Sequence, residues 1–526
     1  MKESTHLDSK SEHRSNTSAA TSRSLRATAL ARHSALLILQ GVVSTTAGIV
    51  GFAFVARGLE VEDMGAAVGL AFVLGLMSQL ADLGLSSAVT KHVAESRGKG
   101  EDYSRFLTAG ITAISLLGLI FGGVVMLSAD QLSSILFRTT EYAEVLRLTA
   151  VSISLEAFNG VLNSSLLGLG EIPAMVALGI LSSVVRATAA IATITEGWGL
   201  KGYVTSWVMG DLSFTASGVI LLLLRRHPRA SSARTLFDTF KSLFSFSWPL
   251  YVSGIVSYLY SAIGRALLLA YLTLEEAGVY NIANIAFAVI ASVPSAISTL
   301  LFPFYAERVG SNQHGAVREG AKAASRYVSL VYSPVALGAV VVANPAISLL
   351  AGASYSRADT ILATLALFSL LTSSSAAFGG MLISYGMTGT FTVINLASIA
   401  VGFASSALLA PTFGGIGIAL STGLVMTVSF FLTFAVLRRR FGVSLSLKPI
   451  GKSLAAGTVM ALVVALAQAV YFDRYLLPVY VAVGALTYFF MLKVLSVLEP
   501  GDFRIARQVV GHRLSPLVDF AQKLLL

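Results

Sequence analysis

The sequence predicts an all-α integral membrane protein. Its fourteen transmembrane helices form two repeated six-helix lobes, plus two extra C-terminal helices, around a central cavity. Three observations lead there. Apolar runs of about 20 residues, enough to cross roughly 30 Å of hydrocarbon, recur along nearly the whole 526-residue chain. A composition of 55% hydrophobic and 12% charged residues leaves too little polar surface to cover a soluble core of that size. The third is an internal repeat: Ser34–Arg97 and Ser245–Arg308 follow one plan, two apolar spans around a short acidic turn.

Residues 1–33 are polar, rich in Ser and Thr, and sprinkled with basic side chains. They hold no apolar core, so they read as a disordered cytoplasmic tail rather than a cleavable signal peptide. The N-lobe, 34–226, carries apolar segments at 34–56, 65–90, 106–128, 146–168, 172–195 and 200–224. The C-lobe, 244–440, carries them at 244–271, 278–303, 327–350, 358–386, 389–411 and 414–437. Segments 452–472 and 476–497 form the final pair, 452–497. Residues 498–526 alternate basic and apolar side chains, as expected of an amphipathic cytoplasmic tail on the inner membrane surface.

Lysine and arginine give the orientation. With the N-terminus inside, 29 of the 37 fall in cytoplasmic segments, 6 in outside loops and two within spans. This positive-inside bias places both termini in the cytoplasm of a cell bounded by the cytoplasmic membrane. The net charge of +10 is thereby explained by topology, without nucleic acid.

The repeat extends over six spans. The turn Leu59–Gly65 (LEVEDMG) matches Leu272–Gly278 (LTLEEAG) at an offset of 213, and HVAE at His92 matches FYAE at Phe304 at 212. Leu166–Gly170 matches Leu382–Gly386 at 216, and Gly199–Gly202 matches Gly414–Gly417 at 215. Both sixth spans end in arginine clusters, Arg225-Arg226 and Arg438-Arg439-Arg440. A unit with an even number of crossings enters from the same side each time. The copies are therefore expected to be related by an axis along the membrane normal.

Enzyme signatures are absent. No loop between spans exceeds about 20 residues, which leaves no room for a nucleotide-binding domain, and there is no GxxxxGK[ST], HExxH or GxSxG. With no cysteine, disulfides and thiolate metal sites are excluded. No cofactor or metal is expected. Glu60, Glu62 and Asp63 fit the acidic first external loop of a membrane glycosyltransferase, but Glu275 and Glu276 occupy the same place in the second copy. A duplicated acidic turn before a helix is more simply an N-terminal cap.

Ionisable groups inside spans are costly, which makes them functional candidates. They are Asp82, Glu156, Arg186, Asp211 and Arg265. Arg186 has two readings: a packing pair with Glu156 or Asp211, or a ligand for substrate. Arg265 has no acid in its own lobe away from the span ends. It either snorkels to the outer face or meets an anion, Asp82 across the cavity or a substrate phosphate. Tyr260, Asn281 and Asn284 are polar candidates for the same cavity. Pro249, Pro294, Pro303, Pro334 and Pro345 interrupt second-lobe helices, either as kinks that work during transport or as tolerated ones.

Ala81–Glu95 (ADLGLSSAVTKHVAE), Ser247–Ala283 and Leu300–Glu307 (LLFPFYAE) carry a resemblance that runs from about Leu36 to Val497. They resemble the polysaccharide and oligosaccharide flippases, the Wzx-like branch of the multidrug/oligosaccharidyl-lipid/polysaccharide exporter superfamily. The fourteen-span plan also looks like the lipid II flippases. The resemblance implies that Arg265 faces the cavity. Family members often carry an Asp-Arg pair in span 7 where this chain has Gly264 and Arg265, which speaks against proton or sodium coupling at that position.

The resulting expectation is a flippase that moves an isoprenoid-phosphate- or diphosphate-linked oligosaccharide or polysaccharide repeat unit from the inner to the outer leaflet by alternating access. Arg186 and Arg265 would hold phosphate, while Asp82, Glu156 and Asp211 would balance charge or take a coupling cation. Two alternatives stand beside it: a cation-coupled multidrug exporter of the same superfamily, and a membrane glycosyltransferase. A functional monomer is expected, with a polysaccharide polymerase or glycosyltransferases as possible protein partners.

Overall fold

The computed structural model describes residues 36–224 except Ile38, residues 233–498, and Phe503, Asp519 and Gln522. The tail expected at 1–33, Arg225-Arg226, and nearly all of 498–526 lie outside the described residues. Among the described residues the chain is helical, without a strand. Twelve helices among the described residues are long and apolar enough to cross a membrane. In such a solvent only a helix or a closed barrel satisfies every backbone group.

The helices run in the order α1 (Leu39–Gly58), α2 (Val61–Asp82), α3 (Leu85–Lys99), α4 (Ser104–Leu127), α5 (Ala129–Phe137), α6 (Ala143–Gly168), α7 (Ile172–Thr195) and α8 (Gly199–Leu224). There follow α9 (Ala233–Tyr271), α10 (Leu274–Gly310), α11 (His314–Ala351), α12 (Ala358–Thr372), α13 (Gly379–Ser384), α14 (Thr388–Phe441), α15 (Leu447–Val470) and α16 (Leu477–Val494). The 54-residue α14 is two helical stretches meeting at Gly414, whose φ of 55° and ψ of −134° are non-helical.

The local signals account for the ends. Thr273 caps α10 by accepting from the Glu276 N–H at 3.3 Å, a Thr-x-x-Glu capping arrangement. Glu275 pairs with Arg357 at 2.7 Å, so the acidic turn of the second copy is engaged in capping and a surface ion pair. Between α2 and α3 the chain turns through Leu83 and Gly84, with φ of 47° and 69°. Leucine rarely adopts that region; glycine does so without steric cost.

Two compact units divide the described residues. Of the described residues, the first takes those up to Val55 and those within Leu74–Asp130 and Ala143–Val252. Its core gathers Val89, Val93, Leu107, Ile114 and Val161. Gly118 and Gly122, four apart on α4, let that helix close on α6. A Cβ on Gly118 would lie 2.7 Å from that of Ala157, and one on Gly122 would lie 2.7 Å from the Ala150 carbonyl oxygen. The Ser154 hydroxyl donates across the contact to the Gly118 carbonyl at 3.1 Å.

The second unit takes Ala56–Val73, Gln131–Tyr142 and the described residues from Ser253 onward. Tyr305, Phe378, Met381 and Leu382 form its buried centre. Two prolines inside α11 organise what docks on it. Pro334 offers no N–H to the Leu330 carbonyl, and the Tyr488 hydroxyl of α16 donates there at 2.8 Å. Pro345 leaves the Val341 carbonyl without its helical donor, and Gln468 of α15 donates to it at 3.2 Å. The C-terminal helices thus supply the hydrogen bonds that the prolines remove.

Candidate functional site

In the first unit, α6, α7 and α8 carry a polar cluster inside otherwise apolar helices. Gly210 on α8 sets its geometry: a Cβ there would stand 2.8 Å from the Arg186 Cβ on α7, so α7 and α8 pass in close contact. The next residue, Asp211, accepts from Arg186 Nη2 at 2.6 Å. Asp211 is 5% exposed, whereas 44% of the Arg186 side chain is accessible. The carboxylate is therefore committed to the pair, and part of the guanidinium fork is free.

Further hydrogen bonds hold the pair. Asn159 donates to the Asp211 carbonyl at 3.0 Å and accepts from Thr215 at 2.7 Å. The Ser182 hydroxyl donates to the Gly210 carbonyl at 2.9 Å. Glu156, three residues before Asn159 on the same face of α6, accepts from Ser78 at 2.7 Å. Two acids thus stand against one base. The cluster carries one net negative charge when all three are ionised, and Glu156 supplies the surplus. Asn159, Thr215 and Ser78 were not among the sequence-derived candidates, although the spacing from Glu156 to Asn159 was available as a signal.

The remaining candidates have other surroundings. Asp82 ends α2 and accepts from the Ser86 hydroxyl and from the backbone N–H groups of Gly84 and Ser86. It caps the α2–α3 turn. Arg265 lies half-buried in α9 and makes no ion pair among the described residues. A Cβ on the neighbouring Gly264 would lie 3.6 Å from the Tyr280 hydroxyl and 3.8 Å from that of Thr422, which themselves pair at 3.2 Å. Asn281 donates weakly to the Met64 sulfur at 3.6 Å, and Asn284 is half-buried on the same helix. Tyr260 lies on α9, but its side chain is outside the described set. Among the described residues no group of three or more His, Cys, Asp and Glu is placed to hold a metal ion.

A family model described as "Polysaccharide biosynthesis protein" matches residues 54–360, and one described as "Lipid II flippase MurJ" matches residues 277–491. The probable low-salt glycan biosynthesis flippase Agl15 of Haloferax volcanii is 22% identical over 432 residues, covering 82% of this chain and 88% of that protein. Among solved structures, the lipid II flippase MurJ in an inward closed conformation superposes with a TM-score of 0.71 at 15% identity, covering 87% of this chain and 98% of the other. An inward-facing multidrug resistance MATE family transporter superposes at 0.61 and 16% identity, covering 76% and 94%. These structural likenesses establish the fold.

Proposed function

Because the chain belongs to the polysaccharide biosynthesis protein family, in the Wzx-like branch of its exporter superfamily, we propose that this multi-pass membrane protein is a flippase for a lipid-linked glycan. The substrate is an isoprenoid-phosphate- or diphosphate-linked oligosaccharide or polysaccharide repeat unit. It moves from the cytoplasmic to the outer leaflet by alternating access.

The observation that carries this reading is the unequal state of the two intramembrane arginines. Arg186 is tied to Asp211 at 2.6 Å, whereas Arg265 has no ion pair among the described residues. A guanidinium within a membrane helix is costly unless an anion meets it, and its planar donors fit two phosphate oxygens at once. Arg265 is then the main phosphate ligand, and Arg186 contributes through its exposed edge. Glu156, which carries the surplus negative charge, takes up a proton or monovalent cation, while Asp211 balances the charge of Arg186 and Asp82 balances charge at the α2–α3 turn. Asn281 and Asn284 line the path of the head group.

In this reading α9 and the two parts of α14 on either side of Gly414 complete fourteen crossings. The six-helix lobes occupy 34–226 and 244–440, and 452–497 adds the last pair. Both termini lie in the cytoplasm, the chain works as a monomer, and a polymerase or glycosyltransferases act next to it in glycan assembly.

The test is depletion of the protein in cells that make the glycan, with the leaflet of the lipid-linked intermediate assigned by a membrane-impermeant probe. Accumulation on the cytoplasmic face, relieved by wild type but not by Arg265→Ala, is the expected result. No accumulation, together with altered sensitivity to cationic drugs, would sink the reading in favour of an exporter that uses the acidic cluster.

A further inference from the structure

Within the second unit, α10, α11, α12, α14 and the 3-10 turn Ser373–Ala377 line an open cavity of about 410 Å³. Two backbone irregularities border it. Pro294 stands in its α10 wall and offers no N–H to the Ile290 carbonyl. The helix begun by α12 stops at Thr372, passes through the 3-10 turn and resumes as α13. Interrupted helices at membrane depth persist where they are buried in protein or line a polar cavity, because the backbone groups they release need partners.

The lining is rich in hydroxyls and holds no acid, lysine, arginine or histidine. Ser295 and Ser298 come from α10, Ser369, Thr372 and Ser373 from α12 and the turn, and Ser429 from α14. Some are engaged already: Ser369 donates to the Ala366 carbonyl at 2.8 Å, and Thr372 to that of Phe368 at 3.0 Å. Tyr332 pairs with the Ser369 hydroxyl at 2.8 Å. The hydroxyls of Ser298, Ser373 and Ser429 have no protein partner among the described residues. Phe287 and Met426 add an apolar wall.

The chemistry narrows the occupant. A phosphate or a cation would leave water for a site without a countercharge. A hydrocarbon tail would leave the free hydroxyls unsatisfied. A neutral sugar suits both halves of the lining, since its hydroxyls donate and accept while its C–H face rests on an apolar wall. The volume falls in the range of small-ligand sites, about 300–1,000 Å³. We propose that this cavity binds an uncharged sugar of the translocated glycan, with Ser298, Ser373 and Ser429 as hydrogen-bonding partners and Phe287 as the apolar wall. This rests on the flippase reading and adds to it a glycan subsite separate from the phosphate ligand Arg265.

Two measurements test it in cells that make the glycan. In the first, p-benzoylphenylalanine replaces Met426, and the photo-adduct is analysed by mass. A saccharide-bearing adduct is expected; an adduct of phospholipid alone, or none, overturns the inference. In the second, the Ser373→Ala/Ser429→Ala pair is expressed in the depleted strain. Removing two hydroxyl partners should slow clearance of the cytoplasmic-face intermediate about tenfold, and clearance at the wild-type rate overturns the inference. The adduct alone decides if the double variant does not reach the membrane. If depletion of the wild type causes no cytoplasmic accumulation, the flippase reading falls and this subsite falls with it. If wild type clears the intermediate and the two measurements fail, only the subsite falls.

Discussion

Gly65 of α2 and Gly278 of α10 make a reciprocal contact. A Cβ on Gly65 would fall on the carbonyl oxygen of Leu274, and one on Gly278 on that of Val61. Val61 and Leu274 are themselves separated by 213 residues, the offset that relates the two glycines. The contact therefore has the self-complementary form of a two-fold interface, made by the same four-residue spacing in both copies of the repeat. Backbone meets backbone, and no rotamer change can make room for a side chain.

The first prediction concerns this crossing. The chain has no cysteine, so an introduced pair can be cross-linked without background. Met64 and Asn281 meet at 3.6 Å beside the two glycines. Oxidation of Met64→Cys/Asn281→Cys should form a disulfide that stops translocation, with activity restored by reductant. Full activity in the cross-linked protein would show that α2 and α10 stay together throughout the cycle.

A second prediction separates the acids of the α6–α8 cluster. Asp211→Ala leaves Arg186 without its partner inside apolar helices, while Asn159 keeps the backbone carbonyl it donates to; Glu156 by contrast is exposed and held by one serine. Thermal unfolding in detergent should show a loss of about 1–3 kcal/mol for Asp211→Ala. Glu156→Gln should leave stability nearly unchanged while altering the dependence of transport on pH or monovalent cation. Equal melting losses for the two variants would contradict this division.

The prolines of α11 give a third. Tyr488→Phe removes the donor to the Leu330 carbonyl, and Gln468→Leu the donor to that of Val341. Each should cost about 1 kcal/mol, the scale of hydrogen bonds between membrane helices. Pro334→Ala restores a helical N–H to the Leu330 carbonyl, so in that background Tyr488→Phe should cost clearly less. A double-mutant cycle on melting data reads this coupling, and strict additivity would refute the link.

A fourth concerns acid. His92, on α3 beyond the membrane-spanning part of α2, stacks on Phe106 at 5.0 Å and meets the edge of Phe246 at 5.7 Å. Its Nε2 is buried without a hydrogen-bond partner. Burial, and then the neighbouring Lys91, hold its pKa below the ordinary 6.5; Arg105 acts in the same direction and Glu95 against it. The folded protein therefore binds this proton less readily than the unfolded chain. Stability is complete above pH 6.5 and falls as pH drops below it. Melting temperature should decline on acidification, and His92→Phe should flatten that decline.

Much of the architecture could be read from the chain. Apolar length, charge bias and the 213-residue offset depend on local spacing and on the thickness of hydrocarbon, so they exposed the helices, the duplicated turn and the five intramembrane charges. Helix ends were less legible: the segment read at 327–350 belongs to a helix that begins at His314, and the one read at 65–90 to a helix that ends at Asp82. The cap at Thr273 follows from a four-residue motif.

Pairing was decided only by the tertiary structure. Which acid meets Arg186 depends on the close approach of α7 and α8 at Gly210, and hydropathy carries no information about that rotation. Asp82 looked like Asp211 in the sequence, yet one caps a turn and the other is locked to a guanidinium. The reciprocal crossing of Gly65 and Gly278, the carbonyls filled by Tyr488 and Gln468, and the hydroxyl-lined cavity all join residues from separate helices. Along one helix a serine or a glycine looks unremarkable to any local rule. Its meaning appears when packing fixes which backbone or hydroxyl it faces, because in a membrane that choice, more than the burial of apolar surface, distinguishes one arrangement of helices from another.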